Sequence, residues 1–220
     1  SWECRPTVVC LERVLDAADA AGRPGVPDEV VEHPSESRFL QGALALLAGR
    51  IDEAIAPVAG VERQASHDGY AADRLVVAAA CHGAVGGSVG PTLRVAVAHA
   101  CRRAETAGWF ELERSVHRKP ETPLADRLVA ALDGLAPEPA RLPIARKRVD
   151  ALAERVLGAK ERPAYETVAE VVVLLAQTTA AVDGTAAAAV IADYAHRYRR
   201  FSAFRRELRE ARTAAGLPVP

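Results

Sequence analysis

Ala164-Tyr-Glu-Thr-Val-Ala-Glu-Val-Val-Val-Leu-Leu-Ala-Gln-Thr-Thr-Ala-Ala-Val182 decides the fold class. Between Glu170 and Asp183 no side chain is charged, and only Gln177, Thr178 and Thr179 are polar. A helix built from this run would be apolar on nearly every face, and such a helix is a buried one. Its ends carry helix punctuation. Pro163 suits the first helical position, Glu166 and Glu170 lie near the N-terminus, where the helix dipole favours anions, and Gly184 suits the stop. The β-branched trio Val171, Val172 and Val173 would fit a strand, but the length of the run and the alanines after it favour helix. We read it as the buried central helix of an all-α core.

The composition agrees. A chain of 220 residues fits one domain or two small ones, and with half of them apolar it can build a substantial core. Aromatics are scarce and β-rich segments absent, which favours helices throughout. The formal net charge of −1 gives no overall field toward nucleic acid or a membrane, so any such attraction must be local. Cys4, Cys10, Cys81 and Cys101 are not needed as staples in a core of this size, and reduced thiols in a cytoplasm are expected. No basic-then-apolar leader opens the chain, and the apolar stretch from Val171 to Val182 reads as too short to span a bilayer, so no membrane is expected as a partner. The absence of methionine points to a processed product or a piece of a longer protein.

Working outward from the central run, helical spacing recurs along the whole chain. Pro6 and Thr7 open a first helix with Val8, Leu11, Val14, Leu15 and Ala18 on one stripe, ended by Gly22, Pro24 and Gly25. Ser35 is the expected N-cap of a second, striped by Phe39, Leu40, Ala43, Leu44 and Leu47 and stopped near Gly49. A third begins almost at once at Arg50-Ile51, so the two form an antiparallel hairpin. Asp68 is expected to cap a helix through Leu75, Val76, Ala79 and Ala80, and Pro91 starts its partner, with Leu93, Val97, Ala100, Cys101 and Ala104 on one side. Between them Gly86-Gly87-Ser88-Val89-Gly90 reads as a hinge or loose hairpin turn.

Trp109, Phe110, Leu112 and Val116 suggest a short aromatic-bearing helix or turn, and Thr122-Pro123 opens a helix that stops at Gly134. Three prolines in 135–143 make that stretch the expected linker between residues 1–134 and 144–220. Beyond it, Ile144, Val149, Leu152 and Val156 mark a helix that ends at Gly158. After Gly184 one long last helix is expected, capped by Thr185. Its stripe is Val190, Ile191, Tyr194, Tyr198, Phe201 and Leu208, and its other faces carry Arg197, Arg199, Arg200, Arg205, Arg206, Arg209 and Arg212. The end, Gly216 to Pro220, reads as a tail.

The piece Leu46-Leu-Ala-Gly-Arg-Ile-Asp-Glu-Ala-Ile55 resembles the turn and second-helix start of a tetratricopeptide-like unit. That resemblance implies stacked helical hairpins, as a solenoid or an irregular bundle, that hold partner proteins. The last hairpin, Tyr165 to Arg212, is similar to the closing helical pair after the SWIM zinc finger in some bacterial proteins. The finger's Cys-x-Cys and Cys-x-His pairs have no counterpart here, so the likeness implies only the helical appendage, without a metal site.

Three groups of residues could carry chemistry. Arg197, Arg199, Arg200, Arg205, Arg206 and Arg209, interleaved with Tyr194, Tyr198, Phe201 and Phe204, could pair with phosphates and stack on bases. Against this, Asp193, Glu207 and Glu210 stand at pairing distance along the helix, and the aromatics fall on the inward stripe. Cys81-His82 and His99-x-Cys101 offer zinc-ligand or Cys/His nucleophile chemistry, but about the turn near Ser88 they stand about 5 residues out of step, ~7 Å at helical rise. Buried thiols and satisfied histidines are the plainer reading. The glycine loop at 86–90 could cradle an anion through its N–H groups, although it follows a helix and lacks a P-loop lysine. Trp109-Phe110 either plugs an internal junction or forms part of a partner groove.

These observations lead to an all-α chain of stacked antiparallel hairpins, without implied cofactor or metal, acting as a non-enzymatic scaffold for a protein partner. A nucleic-acid-binding protein using the arginine helix is the alternative, and a metal protein or Cys/His enzyme stands behind both.

Overall fold

The structure, a computed structural model, describes residues 8–20, 37–56, 67–106 and 123–217. Ten α-helices and no strand occur among them, so the all-α reading holds. They are α1 (Val8–Ala20), α2 (Arg38–Leu47), α3 (Ile51–Ile55), α4 (His67–Val85), α5 (Pro91–Thr106), α6 (Pro123–Leu132), α7 (Leu142–Gly158), α8 (Tyr165–Asp183), α9 (Ala187–Arg197) and α10 (Ser202–Ala214). The chain forms two compact units, Ser1–Leu75 with Val97–Leu132, and Val76–Ala96 with Asp133–Pro220. The stretch 135–143, expected as a linker, belongs with the second unit, as does 76–96.

In the first unit α2 begins under a serine cap, but the residue is Ser37, whose hydroxyl accepts the Leu40 N–H at 3.1 Å. Ser35 lies outside the described residues. Phe39, Leu40, Ala43 and Leu44 are buried as the spacing requires, joined by Leu46, while Leu47 is half-buried. The turn at Gly49 (φ 72°) sends α3 back against α2, giving the expected hairpin. α6 packs on both α2 and α1. Glu12 of α1 accepts the Leu124 N–H at 3.0 Å, and Arg127 of α6 reaches Asp16 and Asp19 at 2.8 Å each. A carboxylate from one helix thus satisfies an orphan donor at the start of another. α4 starts at His67, so Asp68 lies inside its first turn and not at the cap.

The second unit is built on α8. Every residue from Val171 to Ala176 is buried, and α7, α9 and α10 all pack against it, which explains why the run tolerates no charge. Thr178 and Thr179 are buried too, and each hydroxyl donates to the carbonyl four residues back, Leu174 and Leu175, at 3.0 and 2.8 Å. Gly184, at φ 74°, takes the left-handed cap. With its 3₁₀ lead-in, Arg162–Asp183 is long and apolar enough to cross a membrane, which corrects the expectation that it falls short. Two-thirds of its most apolar stretch is buried inside the protein.

Two expectations in this unit are overturned. The last helix is two helices, broken at residues 198–201, and Thr185 does not cap: its N–H is taken by Asp183, and α9 starts after Ala186. A single helix over 185–212 would run ~42 Å, whereas α8 offers ~29 Å, so the break lets both α9 and α10 bury their stripes on α8. α7 ends at Gly158 as expected, and the left-handed residue that follows it is Lys160 (φ 57°). Lys160 N–H bonds Leu157 O and Glu161 N–H bonds Val156 O, the paired bonds of a Schellman ending.

The glycine loop, secondly, is not loose. Gly87 N–H donates to Leu135 O, Gly134 N–H to Gly87 O and Glu138 N–H to Gly83 O. A Cβ at Gly86 would lie 2.6 Å from Leu135 O and 2.7 Å from Pro137 N. Close backbone approach, not freedom to hinge, is what glycine provides there.

Candidate functional site

The arginine-rich end of the chain divides by pairing. Arg197 NH1 is 2.7 Å from Asp150 Oδ1 and its NH2 is 2.7 Å from Asp193 Oδ2. The same Asp150 oxygen accepts the Tyr194 hydroxyl at 2.7 Å, and the Arg197 guanidinium lies 4.9 Å from the Tyr194 ring centre. Burial opposes the Arg197 charge, but the Asp150 hydrogen bond and the two carboxylates outweigh it and lift its pKa further. The Tyr194 phenol is also pushed well up, first by burial and then by its bond to Asp150. Arg206 is held by Glu207 at 2.7 Å and Glu210 at 3.6 Å. Arg212, expected on a solvated face, is buried. These three arginines serve the fold.

Arg199, Arg200, Arg205 and Arg209 are exposed, and none forms an ion pair among the described residues. The aromatics interleaved with them turn inward. Tyr194 and Phe204 are buried and Tyr198 and Phe201 half-buried, in a cluster with Tyr165 whose ring centres lie 6.0–6.4 Å apart. The rings thus follow the inward stripe that their spacing implied, and the exposed guanidinium groups are what this surface presents to solvent.

Next to the arginines, at the start of α10, lies a cleft of about 470 Å³ lined by Lys160, Arg162, Tyr165, Arg200, Phe201, Ser202 and Ala203. Sequence reading missed Lys160 and Arg162. They follow the end of α7, far from Arg200 along the chain, and no local pattern signals their meeting.

The cysteine and histidine candidates are buried or half-buried. Cys81 is a free, buried thiol pushed up to about 12 by burial, against the smaller opposing effect of its hydrogen bond to Thr178, so it is not a thiolate at neutral pH. His82 is buried beside it in sequence, in the second unit. Cys101, also outside any disulfide and buried, and the half-buried His99 belong to the first. In the loop at 86–90, Val89 N–H binds Asp133 Oδ1 at 3.0 Å and Gly87 N–H a carbonyl, so a carboxylate of the chain takes a donor that an anion could have used. Trp109 and Phe110 lie outside the described residues. Large exposed apolar side chains among the described residues are Val85, Val95 and Ile144, the last expected inside.

No protein-family model matches the chain, and no curated protein and no solved structure is similar to it.

Proposed function

We propose that the protein is a non-enzymatic binding module that holds nucleic acid by its phosphates on the arginines of α10 and of the break before it. The observation that carries this reading is that Arg199, Arg200, Arg205 and Arg209 stay exposed and unpaired while neighbouring Arg197 and Arg206 are neutralised by carboxylates. Charge is also unevenly divided: basic side chains outnumber acidic ones in the second unit and the reverse holds in the first. A chain with almost no net charge can thus present a local positive field. With the rings turned inward, contacts fall on the backbone and carry little sequence preference.

The test is binding of labelled single-stranded and duplex oligonucleotides to the wild type and to a variant with Arg199, Arg200, Arg205 and Arg209 all changed to alanine. Wild-type binding that is indifferent to sequence and lost in the variant supports the reading; equal binding by both proteins refutes it.

A second reading, a scaffold of stacked hairpins for a protein partner, is supported by the tight α2–α3 hairpin, where the tetratricopeptide-like stretch falls. Protein partners captured from a lysate and retained after nuclease treatment would favour it.

A further inference from the structure

The cleft at the start of α10 is not an ordinary stretch of solvated charge. Its three cations come from three places: Lys160 from the end of α7, Arg162 from the 3₁₀ turn before α8, and Arg200 from the break between α9 and α10. All three are exposed, none pairs with a carboxylate among the described residues, and no acidic side chain lines the cavity. Like charges brought together around a concavity repel one another unless an anion sits among them. The wall between them is formed by Tyr165 and Phe201, which hold the cleft open without competing for an anion.

Two features of the backbone add to this. Ser202 and Ala203 are the first residues of the 13-residue α10, so their N–H groups have no partner within the helix, and the N-cap, Phe201, makes no side-chain capping bond. Lys160 holds a left-handed conformation, φ 57°, at a position that glycine fills without strain. The lysine side chain supplies a cation to the cleft where the turn itself would be better served by glycine.

We propose that this cleft binds a phosphate monoester dianion, carried either on the end of a nucleic-acid strand or on a free small molecule. A terminal phosphate has three oxygens and about two charges, which suits three converging cations better than the single charge of a backbone diester does. The strand-end form of the proposal rests on the nucleic-acid reading above; the free form does not.

The experiment has two arms, both on the full chain in phosphate-free buffer at low ionic strength. In the first, inorganic phosphate and adenosine 5′-monophosphate are titrated calorimetrically into wild type, Lys160→Gly, Arg162→Ala and, as a control for loss of a charge elsewhere, Lys147→Ala. Binding of the monophosphate should weaken roughly tenfold in Lys160→Gly, as for loss of one charge-assisted contact, and stay unchanged in Lys147→Ala. Lys160→Gly should at the same time melt at a higher temperature than the wild type, so weaker binding cannot be put down to misfolding. In the second arm, oligonucleotides with a 5′-phosphate or a 5′-hydroxyl are compared. A phosphate advantage abolished by Lys160→Gly assigns the ligand to a strand end. Monophosphate binding with no such advantage assigns it to a free molecule. If both oligonucleotides fail to bind while the monophosphate still does, the nucleic-acid reading falls and the cleft stands. No binding of either small probe, or binding unaltered by both cleft variants, overturns the proposal.

Discussion

Lys160 and Gly86 both take left-handed backbone conformations, with opposite consequences for stability. A non-glycine residue in the left-handed region costs about 1–2 kcal/mol, part of which glycine gives back through its freer unfolded chain. Lys160→Gly should therefore stabilise the protein by ~0.5–1 kcal/mol in denaturant unfolding. The opposite holds at Gly86, which combines φ 69° with backbone atoms standing 2.6 and 2.7 Å from where a Cβ would go. Gly86→Ala should cost more than ~2 kcal/mol, since Leu135 and Pro137 can yield only by moving the loop. A melting temperature close to wild type would show the loop to be as loose as its composition suggests. Neither position was legible in the sequence. A glycine pair reads as flexible whether it is free or pinned, and the stop at Gly158, expected and found, gives no sign that the left-handed residue lies two positions further on.

Tyr194 adds a dependence on pH. Its phenol is buried and donates to Asp150, so its folded pKa lies above the ordinary value of 10.0. The stability this contributes is fully present below about pH 10 and is lost as pH rises above the unfolded value toward the folded one. Alkaline unfolding of the wild type should therefore be steeper with pH than that of Tyr194→Phe. Equal slopes would mean that the phenol is not held as described.

Among the elements, α8 was the most readable because its message is redundant. Uninterrupted apolarity, length and a terminal glycine all agree, and the buried threonines satisfy themselves on their own helix. Leu175, fully buried, should cost about 2–5 kcal/mol when changed to alanine, whereas the half-buried Gln177 should cost less than ~1 kcal/mol. The break between α9 and α10 was hidden for the opposite reason. No glycine or proline marks Tyr198-Arg-Arg-Phe-Ser202, and each half keeps helical spacing. The break follows from the length of the helix beneath, a tertiary fact. The cap of α2 lies between: serine was the right residue type, but Ser37 and not Ser35 makes the bond. Ser37→Ala should cost ~1 kcal/mol.

For the molecule as a whole, the near-zero net charge conceals a basic second unit and an acidic first. The arginines of the last two helices were visible in the sequence; which of them are free was not. Asp150, which occupies Arg197, lies on α7, and Lys160 and Arg162 reach Arg200 only through the fold of the second unit. The proposed function requires those free arginines to meet phosphates, and the salt dependence of binding tests this most directly. Anisotropy of a labelled 5′-hydroxyl single strand, measured between about 50 and 200 mM salt, should give a log–log slope near −3, for four contacts at ~0.7 each. Changing Arg199 and Arg200 to alanine should flatten that slope by about 1.4. Binding that is absent at the lowest salt, or a slope that the double variant leaves unchanged, would contradict the account.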